Sequence, residues 1–262
     1  MDVEPIARQI DRLVWAVSDG VRAQREQMET CSTISAPTFG AGINLLYFRD
    51  DLTESLIRRR FIYRPDAALQ TFIDDLSSGE LFVRDGDRLV PTARLSAVVE
   101  EVDLAVSLKG REFWHAHEAD MLEASAMSRQ VIDAGVDTDG LVAVAQAAAE
   151  PADAYQCFWQ RLSFLRLLRN EAHVNAWKPF ELQPRDVEAL TGAWAGTALQ
   201  APATYSENLV DRGYVANGAV TSEGLAARQA IEDATDDGVR AAFGSIDAVR
   251  YLELVTLLPT WA

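Results

Sequence analysis

Two short hairpin signals, each followed by a threonine and an apolar helix, constrain this chain more than any other feature. In the first, Leu81-Phe82-Val83 and Leu89-Val90 flank Asp85-Gly86-Asp87. In the second, Tyr214-Val215 and Ala219-Val220 flank Ala216-Asn217-Gly218. Short apolar runs around a glycine-bearing turn read as β-hairpins. Thr92 and Thr221 then stand where a helix N-cap is wanted. Leu76 overlays on Leu209, and each hairpin and its threonine follow in the same order. Two such segments about half a chain apart read as an internal duplication.

The remaining pattern is helical. Ile6, Ile10, Leu13, Val14, Val17 and Val21 recur at spacings of three and four, which predicts a helix over residues 5–28. Residues 30–42, rich in Ser, Thr, Pro and Gly, read as a loop, and Phe39-Gly40-Ala41-Gly42 within it as flexible. Helices are predicted over 52–62, over 65–76, and from Thr92 through Val106. In the second half a long helix is predicted over 152–177. Pro184 opens another, a third covers 205–212 and stops at Gly213, a fourth follows Thr221, and the last covers 246–258. The expected fold class is mainly α with small β-hairpins, built as tandem, internally duplicated winged-helix-like units joined by long helices. The expected halves are 1–135, with a degenerate winged unit over about 46–106, and 136–262, with one over about 184–240.

The stretch Leu209-Val-Asp-Arg-Gly-Tyr-Val-Ala-Asn-Gly-Ala-Val-Thr-Ser-Glu-Gly-Leu-Ala-Ala-Arg228 resembles the end of the recognition helix, the wing and the following helix of MarR-like winged-helix proteins. The likeness covers residues 185–237. The segment Leu167-Leu-Arg-Asn-Glu-Ala-His-Val-Asn-Ala-Trp177, continued through Thr235-Asp236 to the last helix, is similar to a group of actinobacterial helix-turn-helix-like proteins, some encoded near specialised-metabolite genes. The resemblance implies the fold. Function follows from it only weakly, because one scaffold hosts many roles.

A winged helix reads DNA with its third helix and touches phosphates with its wing. The chain carries 24 Lys and Arg against 40 Asp and Glu, a net charge of −16. Residues 65–80 hold Asp66, Asp74, Asp75 and Glu80 but no Lys or Arg. Residues 203–213 set Glu207 and Asp211 against Arg212 alone, and the second wing is uncharged. Carboxylates facing phosphates oppose the counterion release that drives binding. Both units are therefore expected to be degenerate readers, and nucleic acid is not the expected partner. One basic cluster, Arg58-Arg59-Arg60 with Arg64, reads as a solvated face pairing with acids such as Glu54 and Asp66, or else as a nucleic-acid contact or a docking site for an acidic partner.

Along the long helix, Arg166, Arg169, Asn170, His173 and Trp177 share one face of an otherwise apolar element. Arginine offers a fork to oxyanions, histidine moves protons near neutrality and tryptophan gives a flat wall. The stripe points to an anionic or aromatic small molecule bound between the halves. His173 is the candidate catalytic acid or base, Arg166, Arg169, Asn170 and Trp177 are candidate ligand contacts, and Tyr47 is a further one. The alternative for the stripe is an ordinary polar edge. His115 and His117 lie two apart, which on a helix points them about 200° apart, so no metal site is expected. No nucleophile elbow, phosphate loop or dinucleotide fingerprint is present, and the cofactor stays unknown.

The composition, 48% hydrophobic and 24% charged, is that of a globular chain. Its longest apolar runs are too short to cross a bilayer, and no secretion signal is expected. Cys31 and Cys157 read as two reduced thiols, which points to the cytoplasm. The function expected is a small-molecule-binding protein, with an enzyme of specialised metabolism as one form of it, on a winged-helix scaffold that has lost DNA reading. The rivals are a ligand-responsive, dimeric DNA-binding regulator and an acidic protein-interaction module.

Overall fold

The computed structural model describes residues 3–48, 52–78, 80–136, 140–147, 149–195 and 205–261, without the side chains of 44, 46 and 47. In chain order the elements are α1 (Glu4–Gln24), α2 (Ala36–Gly42), α3 (Glu54–Arg60), α4 (Asp66–Ser78), β1 (Phe82–Asp85), β2 (Arg88–Pro91), α5 (Ala93–Trp114), α6 (Glu118–Gly135), α7 (Leu141–Gln146), α8 (Ala154–Trp177), α9 (Pro184–Trp194), α10 (Glu207–Asp211), β3 (Val215–Ala216), β4 (Ala219–Val220), α11 (Ser222–Phe243) and α12 (Ala248–Leu257). The fold is mainly helical, with two small antiparallel strand pairs. No helix among the described residues is long and apolar enough to cross a membrane.

The chain forms two compact units. The first holds Met1–Leu168 and Ala242–Ala262; the second holds Arg169–Ala241. In the first, α1 buries the stripe predicted for it: Ile6, Ile10, Leu13, Val14, Val17 and Val21 are all at most 3% exposed. That face packs on α5 and α12. Trp114 is fully buried, donates from its indole N–H to the Pro259 carbonyl at 3.1 Å and meets Phe158 edge-on at 5.0 Å. Tyr251 is equally buried. The Ser128 hydroxyl donates to the Ala124 carbonyl at 2.8 Å, so the Tyr251 hydroxyl donates to Ser128 at 2.7 Å. Cys31 and Cys157 are free thiols, and both are buried.

Ahead of α3 stands a bridge that the periodicity gave no sign of. Leu52-Thr53 runs beside β2: Thr53 bridges Arg88, and the Leu89 amide donates to the Leu52 carbonyl at 2.9 Å. With β1 on its other side in the register Val83 to Val90, β2 is thus flanked on both sides. Around this bridge the chain runs α3, α4, β1 and β2 in order. The segment expected to be a loop contains α2. Ser35 caps it by accepting from the Thr38 amide at 3.3 Å, and a proline sits in its first turn, so the residues that looked like loop punctuation serve as a helix start.

In the second unit the buried side chains include Val187, Leu190, Leu209, Val215 and Ile231. Asp186, 2% exposed, ties two helix starts together. It accepts from the Gln183 amide at α9 and from Ser206 and Asn208 at α10. β3 and β4 are joined by Asn217-Gly218, both at positive φ (52° and 75°), as a two-residue hairpin loop requires. Thr221 caps α11 by accepting from the Gly224 amide at 3.1 Å. A Cβ on Gly224 would stand 2.4 Å from the Tyr214 carbonyl oxygen, so the hairpin and α11 can approach this closely only at glycine. The helices that follow the two hairpins, α5 and α11, are each 22 residues long.

Candidate functional site

Two helices, α4 and α10, are acidic on their exposed faces. On α4, Asp66, Asp74 and Asp75 are exposed. Arg84 of the wing is turned back onto this helix, pairing with Asp74 and Glu54 at 3.0 Å each. On α10, Glu207 and Asp211 are exposed, and Arg212 just beyond it is engaged with Glu181 at 2.6 Å. The arginines at these two positions answer the chain's own carboxylates.

The polar stripe of α8 divides between different partners. Arg166, in the first unit, pairs with Asp11 and lies over the Trp15 ring. Arg169, in the second, donates to Glu232 at 2.7 Å and Asp236 at 3.1 Å. Arg228 closes the same network with a 2.5 Å contact to Glu232. Burial alone would raise the Glu232 carboxyl; Arg228 and Arg169 outweigh it and hold it below the usual carboxylate range. His173 sits beside this network, its Nδ1 3.0 Å from the Thr235 hydroxyl. That hydroxyl gives its proton to the Ile231 carbonyl at 2.7 Å, so Nδ1 is the donor. Burial, then the charge of Arg228, and more weakly that of Arg169, push the imidazole down to about 4, with Glu232 opposing. Asn170 is half-buried on the same helix and Trp177 is 6% exposed. Tyr47 lies in the short turn Ile43–Phe48; its side chain is outside the described residues.

The basic cluster leads to a different place. Arg58, Arg59 and Arg60 form the last turn of α3, where positive charge complements the helix dipole. Arg58 behaves as expected, pairing with Asp66 at 3.3 Å and with Gln70. Arg60 does not. It lines a cleft of about 430 Å³, wholly within the first unit, together with Trp15, Arg22, Phe61, Arg64 and Arg166. Residues of α2, Ala36, Pro37, Gly40 and Ala41, form part of the wall. No carboxylate is among the lining residues described.

Aromatic rings hold the guanidiniums in place. Arg22 and Arg166 stand 5.0 and 4.7 Å from the Trp15 centroid, and Arg60 and Arg64 stand 5.5 and 5.2 Å from that of Phe61. Arg22 and Arg166 also have carboxylates of their own, Asp19 and Asp11. Arg60 and Arg64 have no such partner among the described residues. The Arg60 Nε is buried without a hydrogen bond. Three other arginines, Arg12, Arg169 and Arg228, also have one such nitrogen, but each bonds carbonyls, hydroxyls or carboxylates through its others. Burial, and then the charge of Arg166, push the Arg60 guanidinium down to about 10, so it remains charged at neutral pH. Burying an unpaired cation costs several kcal/mol in a real protein, and an oxyanion in the cleft would answer the Arg60 charge through the guanidinium's other donors. Chemically the arrangement can bind and orient such a group; no histidine, cysteine or carboxylate is among the lining residues described.

His115 and His117 sit in a 3-10 turn, each 3.8 Å from a carboxylate, Glu118 and Asp120. Among the described residues no cluster of three or more His, Cys, Asp or Glu could hold a metal ion. Sequence reading picked out Arg166 and the arginine run but not Trp15 or Arg22. Their one sequence signal is that they lie seven apart, off the apolar stripe of α1.

A helix-turn-helix family profile matches residues 82–262, well over half of the chain. The chain belongs to this helix-turn-helix family. No curated protein and no solved structure matches it. Of the cleft residues, only Arg166 lies inside the matched stretch.

Proposed function

We propose that this helix-turn-helix protein binds a small organic anion in the arginine-lined cleft between α1, α2 and α3, on a MarR-like scaffold that no longer reads DNA. The observation that carries the reading is Arg60, a cation left without an acceptor in a cleft that holds three more arginines and no described carboxylate. The volume lies within the range typical of small-molecule sites. The acidic faces of α4 and α10 support the loss of DNA reading. The matching order of elements around the two hairpins, and the equal length of α5 and α11, support a duplication with halves 1–135 and 136–262. Two free, buried thiols fit a reducing cytoplasm. Specialised metabolism is the setting we propose for the ligand. His173, the sequence's candidate acid or base, does not line this cleft and is assigned no part in the binding proposed here.

Calorimetry with benzoate and phenyl phosphate at low salt tests the reading. Binding by the wild type and its loss in Arg60→Met is expected. Failure of both anions to bind the wild type would remove the proposal.

Family membership favours one other reading, a DNA-binding regulator whose partner is a duplex. A gel-shift series at low salt against the DNA upstream of the protein's own gene separates the two. A specific shift in the nanomolar range would establish the regulator.

A further inference from the structure

The charge inventory of the cleft goes further than its sign. Of its four arginines, Arg22 and Arg166 are answered by Asp19 and Asp11. Arg60 and Arg64 are answered by no carboxylate among the described residues, and both stand over the one Phe61 ring. Two arginines of the one cleft, Arg60 half-buried and Arg64 exposed, are therefore without a carboxylate of their own. A monoanion such as a carboxylate or sulfonate would leave one of them bare. A compact dianion neutralises both and presents enough acceptor oxygens to engage two forked donors at once.

The exposed part of the cleft adds the second requirement. Trp15 is 41% exposed, and α2 closes one side with the small residues Ala36, Pro37, Gly40 and Ala41. A small body can lie against this wall while its head reaches the arginines. We infer that the cleft takes a phosphate monoester, its dianionic phosphate held by Arg60 and Arg64 and its organic portion lying along α2 beside Trp15. This rests on the anion-binding reading given above and narrows it to one ligand class.

The probes are phenyl phosphate, benzenesulfonate and inorganic phosphate, titrated calorimetrically into the intact protein. Phenyl phosphate and benzenesulfonate share a ring and a tetrahedral head and differ by one charge. At pH 7.5 phenyl phosphate is expected to bind about tenfold tighter, and the advantage should shrink towards parity at pH 5, since the second ionisation of a phosphate monoester lies near pH 6. Arg60→Met and Arg64→Gln should each remove most of the difference. Thermal unfolding of Arg60→Met should stay at or above the wild-type midpoint, because it removes a buried unpaired cation, and that of Arg64→Gln should stay near it, because Arg64 is exposed.

Equal affinity for the sulfonate and the phosphate would overturn the dianion inference while leaving anion binding intact. No binding of either would remove the anion-binding reading itself. Inorganic phosphate binding as tightly as phenyl phosphate would overturn the organic body. A single-stranded oligonucleotide, whose diesters carry one charge each, binding more tightly than phenyl phosphate would show that the cleft serves a nucleic-acid backbone instead.

Discussion

Arg166 lies 4.7 Å from the centroid of the Trp15 ring while pairing with Asp11, so one residue of α8 is fixed by two residues of α1 a turn apart. Arg22 lies 5.0 Å from the same ring. The indole is thus the support on which two guanidiniums of the cleft are held, and a cation over an indole is worth roughly 0.5–2 kcal/mol.

Replacing the ring should therefore weaken the cleft more than the fold. Trp15→Ala is expected to lower anion affinity by about threefold to tenfold. The unfolding midpoint should move by no more than a few degrees, as the ring is already partly exposed. Calorimetry beside a thermal melt separates the two effects; a collapse of the melt with unchanged affinity would mean that Trp15 serves the core.

The neutral His173 makes stability depend on pH. Its folded value, near 4, lies below the ordinary 6.5. Between these values the unfolded chain binds a proton that the folded chain does not. Stability should therefore be complete above about pH 6.5 and fall progressively towards pH 4, each tenfold loss of proton affinity on folding being worth about 1.4 kcal/mol. Glu232, held low by Arg228 and Arg169, adds to the loss below the usual carboxylate range. Urea denaturation from pH 4 to 8 measures the slope, and His173→Gln should flatten its upper part. A wild-type profile that is level from pH 6.5 to 5 would contradict the assignment.

In the second unit, Gly224→Ala is expected to destabilise by roughly 1–3 kcal/mol, the range for forcing an extra methyl into a packed contact. The obstacle is a backbone carbonyl, that of Tyr214, which no side-chain rotation can move aside. Amide exchange should rise first in β3, β4 and the start of α11. A variant as protected as the wild type would show that the hairpin can shift at little expense.

In the first unit, Tyr251→Phe removes a buried donor to Ser128 but leaves Ser128 bonded to the Ala124 carbonyl. The expected loss is about 1 kcal/mol. Leu13→Ala, in the buried stripe of α1, should lose about 2–5 kcal/mol by opening a cavity. Chemical denaturation gives both values, and a reversed order would mean that the hydroxyl pair outweighs the packing.

Most helices were legible because their signals are local. The α1 stripe, the caps Thr92 and Thr221 and the turn Asn217-Gly218 all act over a few residues of chain. Two features were misread where one residue type serves two ends. Ser35 and Pro37 punctuate loops and also start helices, and here they start α2. Leu52-Thr53 bridges to β2 only because that strand, more than thirty residues away in sequence, offered it an edge. The site was legible in part. Arg166 stood out as a polar residue on an apolar helix, yet its neighbours in sequence, Arg169 and His173, turn to Glu232 and Thr235, while its partners in the cleft come from α1 and α3. Spacing along one helix reports a shared face, whereas a cleft is assembled from several elements.

The two thiols have a practical side. Cys31 and Cys157 are buried, and burial above all pushes them up to about 12 and about 11, so neither offers a thiolate at neutral pH. Ala36, exposed on the rim of the cleft, could be exchanged for cysteine without first clearing the background. A maleimide dye would then react at that one position, and its emission would report directly when the arginines acquire a guest.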